Sequence, residues 1–158
     1  MAKPVFYSFH FDQDVHRVQL IRNIDALEDN QPVSPQRWEE VRRRGRAAVE
    51  QWIDNEMNYK QAVVVLIGRY TSERSFVHYE IEQAWKRRKP LLGVYIHGLS
   101  SMDDGPDLQG KNPFDVVGLS SIPTFDPTVR SYGAIDTRAT YANVRNNLVS
   151  WIGRGYTS

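Results

Sequence analysis

A carboxylate and an aromatic ring are spaced for one helix face in Thr71-Ser72-Glu73-Arg74-Ser75-Phe76-Val77-His78-Tyr79-Glu80-Ile81. Phe76 and Glu80 stand at i,i+4, so on a helix the ring and the carboxylate are neighbours. Ile81 belongs to the apolar stripe of that helix. Glu80 is one position around from it, at the edge of burial, where a carboxylate can meet a ligand. The same Glu could instead be a surface residue pairing with Arg87 or Arg88.

A second polar group follows the first apolar run, with Ser8, His10, Asp12 and Asp14 read as a strand end and an acidic loop. Asp12 and Asp14 imitate the Mg²⁺-holding acidic pair of a phosphoacceptor receiver. That mechanism also needs an Asp at the end of the central strand, where this chain has Gly68-Arg69-Tyr70. Two carboxylates would repel a phosphate, which argues against an FMN cradle. No GxxxxGK[ST] or GxGxxG motif is present, no GxSxG elbow and no HExxH. His10, His16, His78 and His97 form no metal pattern, so no metal site is expected.

The chain has 158 residues, no cysteine, 20 Lys plus Arg and 19 Asp plus Glu, giving a net charge of +1. The length fits a single domain over residues 1–158, since domains cluster at roughly 100–150 residues. Absence of cysteine removes disulfides, thiolate metal sites and a thiol nucleophile. A near-zero charge gives no footprint for nucleic acid or an acidic membrane surface. The longest apolar run, Ala62 to Ile67, is far short of the ~20 residues of a membrane span. With no signal-like leader, a cytoplasmic location is expected.

Three apolar runs read as strands: Val5 to Phe9, Ala62 to Ile67 and Leu91 to Ile96. The second is β-branched and continuous, as in a strand buried on both faces of a parallel sheet. Helical spacing predicts helices over Val15–Leu27, from Ser34-Pro35 to Met57, over Arg74–Arg88, and from Asp136 or Thr137 to Gly153. Trp38, Trp52, Trp85 and Trp151 fall on their apolar stripes. Gly98 to Pro113 is irregular, and a short strand is expected near Ile122 to Phe125. The alternation argues an α/β, flavodoxin-like three-layer sandwich with a mainly parallel central sheet. Ligands then belong at the carboxyl ends of the strands.

The order and spacing of these pieces resemble the TIR-like proteins of bacteria, specifically the TIR-like component of Thoeris anti-phage systems. Val5-Phe6-Tyr7-Ser8-Phe9-His10-Phe11 resembles the first TIR box, and Arg17 through Ile21-Arg22-Asn23 its continuation in this branch. Gly45 through Ile53-Asp54 and Val64 to Gly68 follow in order. Phe76-Val77-His78-Tyr79-Glu80-Ile81 is similar to the TIR pattern Trp-Cys-x-x-Glu-Leu. Gly93-Val94-Tyr95-Ile96-His97 and Gly110-Lys111-Asn112-Pro113-Phe114 complete the likeness, which spans most of the chain.

The resemblance implies cleavage of NAD⁺ at the nicotinamide–ribose bond, with Glu80 as the catalytic residue and NAD⁺ as substrate rather than cofactor. It implies Phe76 as an aromatic wall, and Phe6, Ser8, His10, Asn23 and His97 as substrate-binding residues. It also implies a cyclic or conjugated ADP-ribose signal that reaches a partner effector by diffusion, and allows a homo-oligomer. Phe76 and Val77 depart from the Trp and Cys of that pattern. No second strand is evident over Glu28–Pro35, and Gly98–Pro113 is longer than in ordinary TIR domains. Two other readings stay open: a non-catalytic TIR-like assembly module, and a nucleoside deoxyribosyltransferase-like enzyme, which also cleaves an N-glycosidic bond with a Glu.

Overall fold

The computed structural model describes residues 4–24, 40–100 and 105–157. Among the described residues, four parallel strands form the central sheet: β1 (Val5–Ser8), β2 (Ala62–Ile67), β3 (Leu91–Tyr95) and β4 (Thr124–Phe125), in that spatial order. The helices are α1 (Phe11–Arg22), α2 (Arg46–Asn58), α3 (Ser75–Lys86), the single turn α4 (Pro113–Val116) and α5 (Thr137–Ile152). A two-stranded hairpin, β5 (Arg130–Ser131) and β6 (Ala134–Ile135), precedes α5. The α/β three-layer architecture expected from the apolar runs is the one observed.

Period-2 alternation in β2 sorts the core into two layers. Ala62, Val64 and Leu66 face Val18, Ile21, Val144 and Leu148 of α1 and α5. Val63, Val65 and Ile67 face Val49, Ile53, Met57, Val77 and Ile81 of α2 and α3, with Phe114 of α4. All six β2 residues are buried, which is why this run reads as continuous rather than alternating. Trp52, Trp85 and Trp151 are half-buried against these layers. Trp38, Ser34-Pro35 and Glu28–Pro35 lie outside the described residues.

Two expected helices change their limits. The first was placed at Val15–Leu27, with an acidic loop before it. It starts at Phe11 instead, because the His10 side chain caps it by accepting from Gln13 N at 3.2 Å. Asp12 and Asp14 are therefore first-turn helix residues, where a carboxylate is favoured by the helix dipole. The helix expected to run unbroken to Met57 is interrupted. Residues 40–43 are helical, but Gly45 then adopts φ of 99°, a conformation that side-chain-bearing residues rarely take, and α2 begins after it. α5 is capped by Asp136, whose Oδ1 accepts from Ala139 N at 3.0 Å, and it ends at Gly153. Asp136→Ala is expected to lower stability by about 1 kcal/mol, seen as a lower urea midpoint with unchanged slope.

Chain direction after each strand sets the place for a ligand. From β1 the chain turns to α1 on one face of the sheet. From β2 it turns, through a 3₁₀ turn at Thr71–Glu73, to α3 on the other face. Neighbouring strands whose connections leave to opposite faces open a crevice at their carboxyl ends. Ser8 ends β1 at that crevice, and Gly68 follows β2 there.

Candidate active site

Glu80 is buried in the crevice region at 7% exposure. It sits deeper than the edge position expected for it. Val77, Ile81 and Ala84 hold α3 against the sheet, and their spacing turns Glu80 back toward β1. There Ser8 Oγ donates to Glu80 Oε1 at 3.0 Å, and both side chains are buried. The residues are 72 positions apart in sequence. Burial pushes the Glu80 carboxyl up to about 8, and the Ser8 hydroxyl, which favours the anion, pulls it partly back. No ion pair to Glu80 occurs among the described residues. Arg87 binds Asp54 at 3.3 Å instead, so a helix-surface pairing with Arg87 is not the role of this Glu.

A carboxyl held largely protonated at neutral pH, with one hydroxyl donor, is poised to ionise beside a positive charge. A cationic ligand would supply the favourable interaction that burial withholds. Such a site can stabilise positive charge in a reacting group.

Phe6 lies two residues before Ser8 on the same strand face and is buried among Val63, Val65, Val77 and Ile81. It forms the apolar floor under the pair. Phe76 is one helical turn from Glu80 and half-buried. The Arg46 guanidinium stacks on its ring at 4.8 Å from the centroid and donates to Ser75 Oγ at 3.0 Å. The expected aromatic wall is thus a Phe76–Arg46 pair rather than a bare ring. His10 is at the mouth of the crevice as the α1 cap, with its Nδ1 accepting a backbone N–H. Burial, then the nearby Arg74 charge, lowers its pKa, so it is neutral.

Two expected site residues are not brought to Glu80. Asn23 is the exposed C-cap of α1. Twelve helical residues carry it roughly 18 Å back toward the amino ends of the strands. Arg22 lies there too, over the Tyr7 ring at 5.6 Å. His97 is at the carboxyl end of the sheet, but Ser8 is level with Val65 and, through it, with Gly93. His97 therefore stands two strands across, roughly 10 Å, and four residues further along. Its Nε2 meets Thr128 Oγ1 at 3.2 Å, and burial lowers its pKa. A strand end fixes which edge a residue reaches but not its height there, and unequal strand lengths separate these two.

The sequence reading missed a buried cluster on the other lip of the crevice. Asp14 and Arg17 are 1% and 3% exposed and are joined at 3.1 Å. Gly68 admits the Asp14 carboxylate so closely that a Cβ at Gly68 would lie 2.0 Å from Asp14 Oδ2. Burial raises the Asp14 carboxyl to about 6, against the lowering effect of Arg17. The i,i+3 spacing of Asp14 and Arg17 was a visible signal, but treating residue 14 as loop concealed it. The described residues hold no group of three metal-ligating side chains and no helix long and apolar enough to cross a membrane.

Comparison with known proteins finds relatives of this chain. In the curated "Putative cyclic ADP-D-ribose synthase ThsB1" of Bacillus cereus (strain MSX-D12), a stretch of 124 residues is 32% identical. The match covers 75% of this chain and 64% of that protein, so the chain spans just under two thirds of its relative. A family model described as Thoeris protein ThsB, TIR-like domain, matches residues 6–101. That stretch includes β1 from Phe6 on, the Ser8–Glu80 pair and His97, and it is more than half of the chain; the protein belongs to the Thoeris ThsB TIR-like domain family.

Proposed function

We propose that the protein cleaves the nicotinamide–ribose bond of NAD⁺ and releases an ADP-ribose-type product, cyclic in at least part. The observation that carries the reading is the buried Ser8–Glu80 hydrogen bond at the carboxyl ends of β1 and β2. The name of the Bacillus cereus relative, a cyclic ADP-D-ribose synthase, supports the same chemistry.

One carboxylate suffices for this bond. Glycosidic cleavage passes through an oxocarbenium-like state. Most glycosides need a second carboxyl group to protonate the leaving oxygen. Nicotinamide in NAD⁺ is already cationic and departs neutral, so no general acid is required. Ionised Glu80 stabilises the positive charge developing on the ribose. Ser8 fixes the carboxylate's orientation, Phe6 provides an apolar floor, and Phe76 with Arg46 lines the approach one turn away. In this reading the released nucleotide is a diffusible signal for a separate effector in anti-phage defence.

The test is incubation of purified protein with NAD⁺, following nicotinamide and the nucleotide product by chromatography. A nicotinamide signal with one equivalent of ADP-ribose-type product is expected. Failure to release nicotinamide would favour the assembly-module reading. Cleavage of deoxynucleosides instead would favour the deoxyribosyltransferase-like one.

The pH profile follows from Glu80. The anion is the active form and its pKa is about 8, so kcat/KM should rise with pH through about 8. Below that limb it should fall about tenfold per unit. Ser8→Ala removes the donor that favours the anion and should move the limb to higher pH. A limb near the ordinary carboxylate range, in either protein, would contradict this.

A further inference from the structure

The buried pair on the other lip of the crevice ties down the chain that follows β3. Arg17 uses all three guanidinium nitrogens: Nε donates to Leu99 O at 2.9 Å, Nη2 to Gly105 O at 3.1 Å and Nη1 to Asp14 Oδ1 at 3.1 Å. The two carbonyls are six positions apart, so one side chain of α1 gathers both into one place. Further pins follow. Asp107 N donates to His97 O at 2.8 Å, and Gln13 Nε2 donates to Asp107 Oδ2 at 3.1 Å. Gly110 packs on the end of β2, where a Cβ would be 2.2 Å from Gly68 O. The chain then enters α4, whose Phe114 is buried in the same layer as Phe6 and Ile81. Residues 105–114 thus run from α1 across the ends of β3 and β2 to the α3 face. They wall the crevice on the side away from β1.

Buried ion pairs add little net stability, because desolvation offsets the attraction. Their better-supported effect is to select one geometry. We infer that Arg17 is a positioning residue that, through Leu99 and Gly105, holds residues 105–110 as a wall of the crevice, excluding water from it and so deciding how the ribosyl cation is captured. This rests on the NAD⁺ reading above.

The chemistry balances in either direction. The C1′–N bond breaks with both electrons leaving on the nicotinamide nitrogen, so nicotinamide is neutral and the charge is on the ribose. A water oxygen can attack C1′ and lose a proton, giving linear ADP-ribose and H⁺. Alternatively, a nitrogen or hydroxyl oxygen of the adenosine part of the same molecule attacks C1′, and loss of one proton gives the cyclic product and H⁺. A closed wall favours the second route by withholding water.

Two folded variants test this. Arg17→Lys keeps a cation beside Asp14 but cannot reach three acceptors in a fixed fork. Asp107→Ala loosens the same chain from its exposed side. Each is compared with wild type for nicotinamide release, the cyclic-to-linear product ratio, and amide hydrogen exchange over residues 105–110. Both variants should release nicotinamide within about threefold of wild type. Exchange over 105–110 should be about tenfold faster. The cyclic-to-linear ratio should fall by about fivefold or more. Faster exchange with an unmoved ratio, unmoved exchange, or a wholly linear product from wild type each overturns the inference while leaving NAD⁺ cleavage intact. No nicotinamide release from wild type overturns the proposed function and this inference with it.

Discussion

Glu80→Gln is expected to abolish nicotinamide release, with a loss of about 10³-fold or more in kcat, the scale of removing a transition-state electrostatic contact. The substitution is nearly isosteric, and the amide oxygen can still accept from Ser8 Oγ, which lies 3.0 Å from Glu80 Oε1. What is lost is the negative charge. The fold should survive, and should gain stability. Glu80 titrates at about 8 in the folded protein against an ordinary 4.5. Between those values the native state holds a proton that the unfolded chain has released, so wild-type stability falls as pH rises from about 4.5 through about 8. A raise of that size corresponds to roughly 5 kcal/mol as the limiting difference. Glu80→Gln has no such loss, so its advantage should grow over that window and level off above it. Urea unfolding at pH 5 and pH 8.5 reads this directly. Nicotinamide release by Glu80→Gln comparable with wild type would remove Glu80 from the mechanism. Equal stability of the two proteins at pH 8.5 would contradict its burial as a strained acid.

Gly68→Ala should be strongly destabilising for a single-methyl change, costing about 3 kcal/mol or more. The new Cβ would lie 2.0 Å from Asp14 Oδ2 and 2.6 Å from its Cγ. The carboxylate cannot step aside freely, because Arg17 holds Oδ1 at 3.1 Å and Asp14 is 1% exposed. Either the first turn of α1 shifts or the pair opens and leaves buried charge unmatched. A loss of that size lowers Tm by roughly 6–12 °C in a domain of this length. The penalty should shrink below about pH 6, where Asp14 takes a proton and displacing it no longer separates two opposite charges. Gly105→Ala is the control: a Cβ there meets nothing within 4 Å, so its Tm should match wild type. A Gly68→Ala protein melting with wild type at pH 7.5 would show that α1 does not press on the β2 end as described.

Much of the fold was legible because it depends on local periodicity. The run Ala62–Ile67 is apolar at every position and is buried at every position. Val77, Ile81 and Ala84 repeat at helical spacing and face the sheet. Errors arose where one side chain decides a boundary. His10 capping moved the start of α1 back to Phe11, and with it Asp12 and Asp14 from loop to helix. Gly45 split a pattern whose hydrophobic stripe alone runs through without a break. In the site, Ser8 and Glu80 were both named and are in contact, whereas Asn23 and His97 were named and are elsewhere. Asn23 was drawn in by its place in a run of residues, but a helix carries successive residues away from the strand end at about 1.5 Å each.

Sequence alone determined the class of this protein: its layers, the parallel sheet, the absence of thiol chemistry and the single carboxylate at i,i+4 from Phe76. These follow from residue type and from spacings within one element. The tertiary structure decided which carboxylates are buried and what surrounds them. Ser8 and Glu80 meet across 72 positions, and Arg17 reaches carbonyls 82 and 88 positions away. A charge's environment is set by what packs on it in space, so the raised pKa values of Glu80 and Asp14 could not be read from their neighbours in the chain.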